Sequence, residues 1–158
     1  MLVKYGMADY KPISTPLDQN LKFRIDEGEV LDDATMYSRI VDSLIYMTIS
    51  WPNLSYAVGL VSQFMQLLRK PHVDAERCIL RYVRATINYA LFYDAGTYVE
   101  VHGYTDSDWA GSVSNRRSTS GYMFTFGSAS ITWGSKKQST VALSSKQAKY
   151  KGGSSCNS

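Results

Sequence analysis

Apolar residues recur in steps of three and four between positions 36 and 48. Met36, Ile40, Val41, Leu44, Ile45 and Thr48 form one helical stripe. Asp33 or Thr35 stands ahead of it, placed to accept from the free N–H groups of a first turn. Trp51-Pro52 ends that helix, because the residue before a proline avoids the α region, and Pro52 suits the first position of the next. Leu54, Ala57, Val58, Val61, Phe64, Met65 and Leu68 keep helical steps as far as Pro71. A third helix is expected over residues 72–86, burying Ala75, Ile79, Leu80 and Val83.

The period then changes to two. Val99, Val101, Gly103 and Thr105 alternate with Glu100, His102, Tyr104 and Asp106, the pattern of a half-buried strand. An aromatic-rich strand is expected over 121–126, a two-residue turn at Gly127-Ser128 and a third strand over 129–133. Ser144 and Ser145 are placed to cap a last helix, with few residues left to build it. The expected class is therefore α+β, an N-terminal helical segment followed by a three-stranded antiparallel sheet. Pro12, Pro16 and Gly28 make residues 1–34 an irregular linker, ahead of a helical segment at 35–93 and the sheet at 94–158.

Composition changes this picture little. The 158 residues are 44% hydrophobic and 20% charged, which supports a packed core and argues against wholesale disorder. A net charge of +3 neither demands nor opposes a polyanionic partner. No apolar run reaches the ~18 residues of a membrane span, so no membrane partner is expected. The first residues lack the apolar stretch of a signal peptide, and an intracellular setting is expected. Cys78 and Cys156 are too few for a disulfide framework; Cys78 is expected as a half-buried hydrophobe.

Candidate chemistry centres on Tyr104-Thr-Asp-Ser-Asp-Trp-Ala-Gly111. Asp106, at a strand end, either holds a metal ion or opens a turn together with Asp108. Arg77, Arg81 and Arg84 fall on one helical stripe, either a solvated face or a set of phosphate contacts. Arg116-Arg117 and Lys136-Lys137 carry the same two readings. Tyr104, Trp109 and Trp133 either stack on bases or pack, and His102 reads as a strand residue rather than a general base.

The octapeptide is one of several ordered motifs. It is followed by Asn115-Arg-Arg-Ser-Thr-Ser-Gly121, Trp133-Gly-Ser-Lys-Lys-Gln138, Ser144-Ser145 and Ala148. Together these are similar to the ribonuclease H region of copia-type LTR retrotransposon Pol polyproteins. Tyr5-Gly-Met7, Lys11-Pro12, Thr15-Pro16, Ser43-Leu-Ile-Tyr46, Ser62-Gln-Phe64, His72 and Leu80-Arg-Tyr82 resemble the stretch after the polymerase palm of the same polyprotein. The resemblance covers almost the whole chain. It implies a thumb- or connection-like helical segment, then a ribonuclease H-like domain that reads as truncated, and a Met1 inside a former polyprotein.

The resemblance also implies chemistry. Family members hydrolyse the RNA strand of an RNA–DNA hybrid with Mg²⁺ ions held by carboxylates. Their first-strand aspartate maps onto Asp106, the expected metal ligand. Their Ser-Ser-Thr-Glu-Ala-Glu-Tyr motif reads Ser144-Ser-Lys-Gln-Ala-Lys-Tyr150 here, so Gln147 replaces the glutamate expected to be catalytic and Lys149 replaces the second. The polymerase Tyr-x-Asp-Asp signature is absent. The resulting expectation is a Pol-derived, catalytically inactive fragment, with Mg²⁺ a cofactor of the ancestral enzyme that is not held stably here. RNA–DNA hybrid is its expected weak partner, and self-association through an uncovered sheet is expected too. The alternatives are a domesticated or effector-like interaction protein and a residual Mg²⁺-dependent ribonuclease H.

Overall fold

The computed structural model describes residues 6, 10–18, 21, 23–24, 27–91 and 100–154. The expected strand start at Val99, and Cys156, lie outside the described residues. The chain divides into two compact units, Met1–Tyr89 and Ala90–Ser158. None of the described helices is long and apolar enough to cross a membrane.

In the first unit, helix α1 spans Thr35–Met47, α2 Ser55–Val61 and α3 Lys70–Thr86. Short 3-10 turns, Pro52–Leu54 and Ser62–Phe64, flank α2, and the helical run ends at Phe64, so Met65 and Leu68 of the expected stripe lie outside it and Pro71 stands inside the first turn of α3. Ser62 and Gln63 side chains both donate to the Gly59 carbonyl, where the pitch changes. Tyr37, Val41 and Leu44 form the buried line of α1, and the Tyr37 hydroxyl donates to the Val61 carbonyl at 2.7 Å. Met36 and Ile45, expected on the stripe, are exposed. The core takes the Tyr37 line because that hydroxyl ties α1 to the end of α2. Ala75, Ile79, Leu80 and Val83 are buried, and Cys78 is half-buried.

Residues 1–34 do more than link. Leu17 and Phe23 join the core. Val30 bridges Arg69, while the Leu31 and Lys70 amides donate to the Leu68 and Glu29 carbonyls. Gly28 lies at φ +88°, and a β-carbon there would fall 2.6 Å from Pro71 Cδ, so both backbone and space require glycine.

Two titratable side chains are enclosed on α3, one turn apart. His72 is 1% exposed, stacks on Phe64 at 3.9 Å and meets Phe23 edge-on. Its Nδ1 accepts from the Arg69 amide at the start of the helix, and its Nε2 has no partner. Glu76 is 3% exposed with Oε1 unpartnered. Burial drives its carboxyl up to about 7, only partly offset by Arg77. Burial pushes Tyr37 up as well, helped by the Glu76 charge, and holds His72 down with a smaller push from Arg69.

The second unit is an antiparallel sheet of β1 Val101–Ser107, β2 Thr119–Phe126 and β3 Ala129–Lys137, in the order β1-β2-β3. Ser107 pairs with Ser120, and Thr119 with Lys137. The α+β class and the antiparallel meander are as the sequence pattern implies. The half-buried alternation of β1 is not: Val101 is 64% exposed and only Ser107 is buried. Nor does the last helix stop after a few residues. Helix α4 runs Ser145–Ser154 and covers the Ser107–Ser120 end of the sheet through Ala148 and Gly152. Its small residues sit over that end, which is why Val101 at the far end of β1 stays exposed.

Glu76 generates a pH prediction. A carboxyl raised by folding contributes stability that is fully present below the unfolded value and lost as pH rises through about 7. Glu76→Gln removes that loss. Chemical denaturation of both forms is expected to coincide near pH 4 and to separate by up to roughly 3 kcal/mol at pH 8, the variant being more stable. A constant difference across that range would show that Glu76 does not titrate in the core.

Candidate nucleic-acid and ancestral metal site

Asp106 is the fixed point of the sheet end. Even-numbered residues of β1 bond to β2, as the Asp108 amide to the Thr119 carbonyl at 3.1 Å shows. The Asp106 side chain lies on the sheet face of His102 and Tyr104, opposite that of Ser107. The Ser107 amide donating to its carboxylate, and then Lys149, hold Asp106 below the usual carboxylate range. Asp108 serves the strand pairing instead, its Oδ1 accepting from the Thr119 amide at 2.6 Å.

Helix α4 decides what faces Asp106. Ser144 Oγ accepts from the Gln147 amide at 3.2 Å, and Gln147 Oε1 accepts from the Leu143 amide at 2.6 Å. This is a capping-box arrangement shifted by one residue, and it commits Gln147 to closing the helix start. Ala148 and Gly152, one turn apart, face the sheet. A β-carbon on Gly152 would collide with Ser107 Oγ and lie 3.0 Å from Ser120 Oγ. Below them Ser107 Oγ donates to Ser120 Oγ at 2.8 Å, and Gln138 Nε2 donates to Ser120 Oγ and to the Ala148 carbonyl. With that stripe held down, Lys149 beside it reaches Asp106, Nζ to Oδ1 3.4 Å. The α4 side chain that pairs with Asp106 is Lys149, while Gln147, the position expected to be catalytic, bonds within the start of its own helix. The spacing Ser144-x-x-Gln147 is itself a capping-box signature and could have been read from the sequence. Among the described residues, no three His, Cys, Asp or Glu side chains converge as a metal set.

The arginine stripe of α3 is engaged internally. Arg81 Nε donates to the Lys11 carbonyl and Arg84 Nη1 to the Tyr10 carbonyl, both at 2.7 Å, and Arg77 lies 3.7 Å from Asp74. These contacts make Arg81 and Arg84 a clasp on residues 10–11. Arg116 and Arg117 are exposed in a tight turn, where the Arg116 amide bonds the Ser112 carbonyl and the Arg117 amide bonds Asn115 Oδ1. Lys136 is exposed. Lys137 donates to Ser112 Oγ at 2.9 Å, and its ammonium is held down by burial first and by Arg117 second. Trp109 Nε1 donates to the Ala142 carbonyl while its ring stays about half exposed; Tyr104 is exposed, and His102 lies 3.4 Å from Glu100. The charge excess belongs to the second unit: residues 90–158 carry seven Lys/Arg and four Asp/Glu, and residues 1–89 ten of each.

Known proteins resemble this chain along most of its length. It is 39% identical over 151 residues to the retrovirus-related Pol polyprotein from transposon RE1 of Arabidopsis thaliana, covering 96% of this chain and 10% of that protein. It is 40% identical over 157 residues to the corresponding polyprotein from transposon TNT 1-94 of Nicotiana tabacum, covering 95% and 12%. The secreted RxLR effector protein 161 of Plasmopara viticola is 42% identical over 115 residues, 72% of this chain and 81% of that protein. The chain spans about a tenth of the length of the Pol polyproteins it matches. No protein-family model matches it, and no solved structure does.

The clasp is tested by Arg81→Ala/Arg84→Ala. Amide exchange at residues 10–17 is expected to accelerate by about tenfold or more, as two charge-assisted bonds worth about 1.5–3 kcal/mol each are lost. Exchange unchanged at those amides would return both arginines to the solvated face.

Proposed function

Because this chain belongs to the copia-type retrotransposon Pol family, we propose that it is a reverse transcriptase–ribonuclease H junction segment that holds RNA–DNA hybrid weakly and does not cleave it. The observation that carries this reading is the Lys149 ammonium 3.4 Å from Asp106. Hydrolysis by two divalent ions needs several carboxylates around them. An ammonium at the one retained carboxylate repels those ions, and the residues present do not fit a Mg²⁺ pair. The departure that matters is the family glutamate replaced by Lys149, rather than the one replaced by Gln147.

The hybrid-facing cations on this reading are Arg116, Arg117 and Lys136, exposed on the unit that carries the charge excess. Arg77, Arg81 and Arg84 have partners of their own. Binding is expected to be indifferent to sequence and sensitive to salt. A second reading, an interaction protein retained for its surface, draws on the similarity to the RxLR effector.

Incubation with labelled hybrid and Mg²⁺ is expected to give no cleavage above buffer; cleavage abolished by Asp106→Ala would overturn the reading. In titrations, log affinity is expected to fall with log salt at a slope of about −3. Arg116→Ala/Arg117→Ala/Lys136→Ala should flatten that slope by about 2–3, whereas Arg77→Ala should leave it within about 0.5. No binding by the parent at low salt would favour the interaction-protein reading.

A further inference from the structure

We infer that Lys149 stands in for the divalent cation, so that this site grips a backbone phosphate of nucleic acid without any metal. The inference rests on the hybrid-binding reading above and adds how the site does it. A metal ion in such a place has two roles, to neutralise the carboxylate and to present positive charge to a phosphate oxygen. A lysine ammonium has three donors. Asp106 faces Lys149 at 3.4 Å and engages one of them, and Lys149 is 66% exposed, which leaves the others accessible from solvent. Asp106, 81% exposed, is neutralised by the same contact and no longer repels an approaching phosphate.

The backbone that carries Lys149 is held in place by construction. The Ser144–Gln147 cap fixes the start of α4. The Gln138 bond to the Ala148 carbonyl and the close approach at Gly152 fix its rotation. Position 149 follows directly on buried Ala148, so its side chain emerges at the border of the covered stripe, beside Asp106. Lys146 and Lys151 lie on the same helix, which carries no acidic residue, so the field around the site favours an anion. Lys151 itself donates to Thr140 Oγ1, which leaves Lys149 as the ammonium at Asp106.

The test measures affinity for a short RNA–DNA hybrid in excess EDTA and in millimolar Mg²⁺, with circular dichroism melts to confirm folding of each variant. The parent is expected to bind equally in the two buffers, within about twofold. Lys149→Arg should bind like the parent, and Lys149→Gln should bind roughly tenfold more weakly in both, the loss of one charge-assisted phosphate contact. Lys149→Glu should bind more weakly still in EDTA and recover with Mg²⁺, because two carboxylates then face each other. A second readout needs no hybrid: Mn²⁺ should broaden the backbone resonances of Asp106 and Ser107 in Lys149→Glu and leave them sharp in the parent. If the parent needs Mg²⁺ to bind, or if Lys149→Gln binds like the parent, Lys149 has no such role even though hybrid binding stands. If the parent binds no hybrid in either buffer, the hybrid-binding reading falls, and Mn²⁺ broadening in the parent would overturn the exclusion of metal by itself.

Discussion

The close approach of α4 to the sheet at Gly152 sets the geometry of the whole second unit. A helix over a sheet is usually seated by large apolar side chains, and its rotation is then a compromise among them. Here the seat is made of Ala148, Gly152, Ser107 and Ser120, with Gln138 bonding both the sheet and the helix backbone. Hydrogen bonds are directional, so a seat of this kind fixes rotation more tightly than a greasy one. Lys149, which follows Ala148, reaches Asp106 from this seat.

The first unit has an opposite design. Its core is apolar and continuous, drawn from all three helices and from Leu17 and Phe23. Within it His72 and Glu76 are enclosed with one atom each unsatisfied. Such groups weaken a fold, because a buried polar atom without a partner retains its desolvation cost. His72 regains part through the Arg69 amide and its stack on Phe64. Glu76 does so by holding a proton.

Much of this was legible in the residue pattern, and the misses share one cause. Helical steps located α1 and α3 to within two residues or so, and Gly127-Ser128 placed the hairpin between β2 and β3, because these features are local. What failed depended on partners distant in sequence. The Tyr37 hydroxyl chose the buried line of α1 by reaching Val61. The arginines of α3 look available in the sequence, but the carbonyls of Tyr10 and Lys11, some seventy positions away, engage them. The family motif makes Gln147 the expected catalytic position, and its spacing from Ser144 also describes a cap, a local feature. In the sequence Lys149 is only a loss of charge balance, and its distance from Asp106 follows from the seating of Ala148 and Gly152 on the sheet.

The paired burial of His72 and Glu76 has a calorimetric consequence. Folded, the carboxyl keeps its proton up to about pH 7 while the imidazole is held neutral below its ordinary value of 6.5. Unfolding restores both groups to their usual behaviour. At a mildly acidic pH unfolding therefore draws a proton from Glu76 and favours uptake at His72, so the two exchanges oppose each other. As pH rises past 6.5 uptake by the imidazole fades, and above about 7 the carboxyl has already lost its proton in the folded state, so neither group then exchanges a proton on unfolding. The contribution of this pair to the heat of unfolding therefore depends least on the buffer's ionisation enthalpy where the two windows overlap and again well above pH 7.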